Sequence, residues 1–106
     1  MLMNIMSSAE VMDVEKKVID RMGSINLWSL GEMYFLLKNE LGIGSNEKWK
    51  EDSYVEERHD GFITKQQFMK MEREIIKQYG YMDEHIVGEL YFKIREYLGL
   101  CEFDED

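Results

Sequence analysis

Proline is absent from this 106-residue chain and cysteine occurs once, at Cys101. A lone cysteine excludes an internal disulfide, and with only His59 and His85 beside it no Cys/His zinc set can be assembled. No apolar run approaches the ~18 residues that a membrane-spanning helix needs. The stretch from Met1 to Met6 has no basic flank and runs into Ser7, Ser8 and Glu10, so no signal peptide is expected. These absences lead to the expectation of a soluble protein of the reducing cytoplasm. Positive charge is also scarce: 13 Lys+Arg face 22 Asp+Glu, a formal charge of −9, which argues against a protein that holds nucleic acid chiefly by neutralising phosphates. Dinucleotide and phosphate-loop glycine patterns, a nucleophile elbow and His-Glu-x-x-His are all missing. His59 lies in Glu56-Glu57-Arg58-His59-Asp60 and His85 one turn before Glu89, neither with a nucleophile or second ligand at useful spacing. Cys101 follows Leu100 with no base nearby and reads as a packed thiol. A non-enzymatic protein with no catalytic residue, cofactor or metal is therefore expected.

What the chain does contain is helical spacing. Hydrophobic residues make up 44% of it, enough for one domain with one core. Val11, Val14, Val18 and Met22 form a stripe at intervals of three and four, capped by Ser7 with Glu10 in a capping box, stapled by Met6 and Val11, and stopped at Gly23. A second helix, starting after Asn26 or Ser29, carries Leu30, Met33, Tyr34, Leu37 and Leu41 and stops at Gly42. The third is expected from cap Thr64, boxed with Gln67, through Phe68, Met71, Ile75 and Tyr79 to Gly80. The fourth runs from cap Asp83 through Val87, Leu90, Tyr91, Ile94 and Leu98 to Gly99.

Laid over itself, the chain aligns 5–43 with 62–100 without a gap, at a constant offset of 57. Gly31-Glu32-Met33-Tyr34-Phe35 falls on Gly88-Glu89-Leu90-Tyr91-Phe92, and Leu41-Gly42-Ile43 on Leu98-Gly99-Leu100. Ten of the 39 pairs are identical, and the agreement falls on helix starts, stops and buried faces. The expected fold is all-α: an αα-hairpin, residues 5–43, duplicated as 62–100, the two packed as a four-helix pseudo-twofold domain because one hairpin alone cannot bury both its stripes. Residues 44–61 form a long acidic loop between the hairpins, with Trp49, Tyr54 and Val55 expected to lie back on the helices.

Charge is uneven along this plan. Residues 5–43 hold six acids and four bases and residues 62–100 six of each, whereas 44–61 contribute −3 and the tail 102–106 contributes −4. Glu51, Asp52, Glu56 and Glu57 of the loop, with Asp104, Glu105 and Asp106 of the tail, are thus candidate contacts for a basic surface; solubility alone, the commoner reason for acidic loops and tails, would also place them there. Phe35 and Phe92 point about 140° from the centres of their stripes at 100° per residue, and Leu36 widens that second apolar face. The three are candidates for an apolar partner surface or for cover by the loop aromatics. Lys70, Arg73 and Lys77 share one face of the third helix, with Glu72 and Glu74 beside them, and are the residues through which direct nucleic-acid binding would run.

Two family resemblances are visible. Asp60-Gly61-Phe62-Ile63 with Gln67 and Phe68 resembles the latter half of an EF-hand loop; with Gly61 sixth, Glu56 would be first, Arg58 third and Gln67 twelfth. A cation third and an amide twelfth remove most of the charge that holds calcium, so none is expected to bind. Residues 27–103 also resemble, in order of elements, the winged-helix domains of plasmid and phage replication initiators, through the helix ending at Leu41, Trp49 in a polar loop, Gly61-Phe62-Ile63-Thr64 and the closing Leu98-Gly99-Leu100-Cys101-Glu102-Phe103. The candidate recognition helix, however, begins Asp83-Glu84 and carries Glu89 and Glu96, poorly suited to a major groove. The expectation is an acidic inhibitor or adaptor, of the sort mobile elements and phages encode, docking on a basic surface of a nucleic-acid-handling protein. Direct DNA binding of a helix-turn-helix kind and a structural homo-oligomer, such as a homodimer on Phe35, Leu36 and Phe92, are the alternatives.

Overall fold

Strong local stop and start signals divide the chain into short helices, and a computed structural model, which describes residues 5–44 and 61–100, shows how they assemble. The order is β1 (Ile5–Ser7), α1 (Ser8–Met22), α2 (Leu27–Glu40), β2 (Phe62–Thr64), α3 (Lys65–Tyr79) and α4 (Glu84–Tyr97). The protein is mostly helical, and each element of the second half begins 57 residues after its counterpart in the first.

Caps explain the helix ends. Ser7 Oγ accepts from the Glu10 amide at 3.2 Å while Glu10 returns to the Ser7 backbone, and Asn26 makes the same box with Ser29, so α2 starts after Asn26 and Ser29 is buried in its first turn. Thr64 and Asp83 accept from the amides of Gln67 and Ile86. The expected reciprocal arm at Thr64 is not made: Gln67 turns its Oε1 into a buried position without a hydrogen-bond partner. Gly23 and Gly80 end α1 and α3 at φ of 82° and 81°, in the left-handed region that other residues enter only under strain.

An all-helical reading omits β1 and β2. They pair antiparallel with Met6 opposite Ile63, flanked by Ile5 with Thr64 and Ser7 with Phe62, the register that a twofold axis through the central pair would produce. Met6 and Ile63 face the core and their neighbours do not. Gly61 turns the chain into β2 at φ 87°, and its carbonyl accepts from the Ser8 amide at 2.7 Å. A sharp glycine turn at that place is also what the EF-hand resemblance implies for its sixth residue, whereas positions one to five of that loop lie outside the described residues. Helix α3 is 15 residues long, and β2 precedes it and pairs with β1.

One core joins the halves. Helix α2 packs chiefly on α4 and on α1, and α3 on α4. Met33, Leu37 and Leu41, Leu90, Tyr91 and Ile94, Val11 and Val18 of α1, and Phe68 and Ile75 of α3 all belong to a single buried cluster. At Gly88 α4 runs close to α2, where a Cβ would meet Leu27 and Leu30 at 3.6 Å, an ordinary van der Waals contact. Among the described residues no helix is long and apolar enough to cross a membrane.

Candidate functional site

Two polar clusters, one buried and one half-buried, cross between the halves, and neither was expected from the sequence. Glu15 stands in the apolar stripe of α1 between Val11 and Val18, and there it meets Tyr91 and Arg95, one turn apart on α4. The Tyr91 hydroxyl donates to Glu15 Oε2 at 2.6 Å, and Arg95 Nη1 donates to the same oxygen in an ion pair whose side chains are 9% and 8% exposed. Burial, then the charge and hydrogen bond of Glu15, push the Tyr91 hydroxyl far above its ordinary range, so it stays a donor.

The second cluster uses the residues 57 positions away. Glu72 stands in the stripe of α3 between Phe68 and Ile75 and meets Tyr34 and Lys38, one turn apart on α2. The Tyr34 hydroxyl donates to Glu72 Oε2, and Lys38 Nζ donates to it at 3.0 Å with side chains 19% and 16% exposed. Tyr34 stacks on Phe68 at 5.5 Å, and the Lys38 ammonium lies 5.5 Å from the Tyr34 ring centre. Burial pushes Glu72 up to about 7 and lowers Lys38; the ammonium and hydroxyl touching the carboxylate act against the first shift. Glu72, expected beside the basic stripe of α3, is thus turned into the fold, whereas Glu74 is exposed.

A further signal could have located both clusters. Acids interrupting an apolar stripe at equal positions in two aligned segments, with Tyr and a base four apart at equal positions in the partner helices, have no solvent-facing explanation.

The surface shows where the expected binding residues sit. Phe35 is 65% exposed and packs its edge on Tyr34 at 5.6 Å; Phe92, its counterpart on α4, is 47% exposed. Leu36 is partly buried against the core and contributes little to an outer face. Trp28, which sequence reasoning passed over, is 75% exposed, and seven residues before Phe35 it shares that face of α2. Glu32 lies between them and pairs with Arg21 of α1. In the other half Tyr79 of α3 donates to Glu89 at 2.7 and 2.8 Å.

Lys70 is half-exposed on α3, with Arg73 and Lys77 exposed, and all three already interact with other groups. His85 is exposed on α4. Among the described residues no group of three His, Cys, Asp or Glu comes together to hold a metal ion. The acidic candidates Glu51, Asp52, Glu56, Glu57, Asp104, Glu105 and Asp106, and with them Trp49, Tyr54, His59 and Cys101, lie outside the described residues. The clusters can fasten helices; the exposed aromatics can dock. No protein-family model, no curated protein and no solved structure matches this chain.

Proposed function

We propose that the protein is a duplicated helical-hairpin domain, each hairpin preceded by a short strand, that works as a non-enzymatic binding protein. The observation that carries the reading is the pair Trp28 and Phe35, two large aromatics held in water on one face of α2. Large exposed aromatics on one face mark interaction sites, because they offer contact area at low entropic cost and gain most when desolvated. Elsewhere α2 buries Leu30, Met33, Tyr34 and Leu37, so this helix already holds the core while presenting a second apolar face. A charge of −9 suits a partner with a basic surface, such as a nucleic-acid-handling protein that the chain would inhibit or recruit, with Glu51, Asp52, Glu56, Glu57 and the acidic tail steering the approach.

The test compares capture by wild type and by the Trp28→Ala/Phe35→Ala double variant from the native host, with quantitative mass spectrometry at two salt concentrations. A basic protein retained by wild type at low salt and lost in the variant supports the proposal. Equal retention by both proteins refutes the aromatic face. Titration of labelled oligonucleotides supplies the second arm: tight binding abolished by reversing Lys70, Arg73 and Lys77 would replace a protein partner with nucleic acid.

A further inference from the structure

Trp28 and Phe35 stand about 10 Å apart along α2 at 1.5 Å per residue, and Gly31 and Glu32 occupy the turn between them on the same face. Gly31 leaves that turn without a side chain, and a Cβ built there would meet nothing within 4 Å, so the space above it is open. Glu32, one turn from each ring, adds a carboxylate. Its Oε1 accepts from Nη2 of Arg21, in the last turn of α1, through an ion pair whose side chains are 42% and 61% exposed. A guanidinium of the chain itself thus marks what this place accepts.

We infer that Trp28, Gly31, Glu32 and Phe35 form a recognition site for an arginine side chain on a basic polypeptide segment, which displaces Arg21 from Glu32 and lays its guanidinium against the aromatic rings. The inference rests on the docking face proposed above and names the chemistry of its partner.

A guanidinium uses all of these features at once. It is planar and weakly hydrated, stacks on aromatic faces and presents N–H donors to a carboxylate, whereas a lysine ammonium is a strongly hydrated point charge. Indole is the best ring for a cation, and Trp28 is exposed enough to cover one. Arg21 is readily exchanged, since an exposed ion pair contributes little to stability. The formal charge of −9 favours a basic segment and repels nucleic acid. The other half supplies a contrast: 57 positions on, His85 stands for Trp28 and Gln78 for Arg21, Glu89 is taken by Tyr79, and Gly88 faces Leu27 and Leu30 of α2 instead of open space. The site therefore exists once, on α2.

The experiment titrates the whole protein at low ionic strength with a synthetic peptide of alternating arginine and glycine, and with its lysine and citrulline forms. NMR follows the Trp28 indole N–H, distinguished from that of Trp49 by the Trp28→Phe variant. The arginine peptide should shift this signal saturably and bind about threefold or more tighter than the lysine peptide, and the uncharged citrulline peptide should not bind. Glu32→Gln and Trp28→Ala should each weaken binding about threefold. Arg21→Ala should strengthen it about twofold by releasing Glu32, and by more than Lys93→Ala, which removes the same charge from the other half. Such a gain cannot arise from misfolding. An arginine peptide that leaves the Trp28 signal in place, equal binding of the arginine and lysine forms, or an Arg21→Ala effect no larger than that of Lys93→Ala overturns the inference. So does a Trp28 signal that moves with protein concentration alone, which assigns the face to a second copy of this chain. A host protein lost in Trp28→Ala/Phe35→Ala but captured equally by wild type and Glu32→Gln overturns the arginine site and leaves the docking face standing; equal capture by wild type and the double variant removes both.

Discussion

Glu15 with Arg95 and Glu72 with Lys38 hold the same places in the two halves, yet the side chains of the first pair are about half as exposed. The contrast shows what a buried ion pair costs. Arg95 reaches a single Glu15 oxygen through Nη1, and because a guanidinium is weakly hydrated it tolerates removal from water better than a lysine ammonium, which stays nearer the surface where its hydration is not wholly lost. An arginine tie and a lysine tie thus occupy equivalent places in one fold.

The largest way to break this comparison is to remove the permanent cation. Arg95→Ala should leave Glu15 buried without its counter-charge and destabilise the protein by about 3–5 kcal/mol, measured by urea unfolding at pH 7. Lys38→Ala should cost clearly less, because Glu72 can take up a proton instead. Equal losses would dissolve the distinction.

Next is pH. The Glu72 carboxyl lies at about 7 when folded against an ordinary value of 4.5, so the folded state binds the extra proton between them. The contribution of Glu72 is complete below about pH 4.5 and is lost as the pH climbs through 7, a change of at most about 3 kcal/mol in isolation. Lys38, lowered by burial, acts in the opposite sense at the alkaline end, where stability gains as the ammonium is released. Urea unfolding of wild type minus that of Glu72→Gln at pH 5 and pH 8 isolates the carboxyl, and a difference that grows with pH in favour of wild type would contradict the sign.

A smaller effect separates the tyrosines. Tyr91→Phe removes a hydroxyl from a deep carboxylate and should cost about 1–3 kcal/mol. Tyr34→Phe should cost less, since Glu72 retains Lys38 and is nearer to water. Thermal unfolding of the two variants ranks them. The smallest effect belongs to the docking face: Trp28→Ala with Phe35→Ala should change stability by no more than about 0.5 kcal/mol per site, because both rings are already largely in water. A large loss there would make them part of the core.

Much of this was legible in the residues. Ser7 with Glu10, Thr64 and Asp83 announced three helix starts, the fourth was narrowed to Asn26 or Ser29, and Gly23 and Gly80 announced the stops, because capping is satisfied within a few residues of the chain. That Phe35 and Phe92 turn away from the core stripes followed from helical angle; the loop aromatics Trp49 and Tyr54, the alternative cover for them, lie outside the described residues. β1 and β2 did not, because three residues are too few for an alternating pattern and each strand exists through a partner 57 or so positions away. Glu15 and Glu72 escaped too: on a helical wheel an acid in an apolar stripe is only an interruption, and its partner lies in the other half.

The sequence by itself determined the four helices, their ends, the stripes that had to be buried and the excess of negative charge, since each depends on bond rotations and hydrogen bonds between near neighbours. Tertiary structure alone decided which helix packs on which, that Met6 pairs with Ile63, and that the acids of α1 and α3 reach across to the tyrosines and bases of α4 and α2. Those outcomes depend on desolvation, and a charge is desolvated only when distant segments close over it.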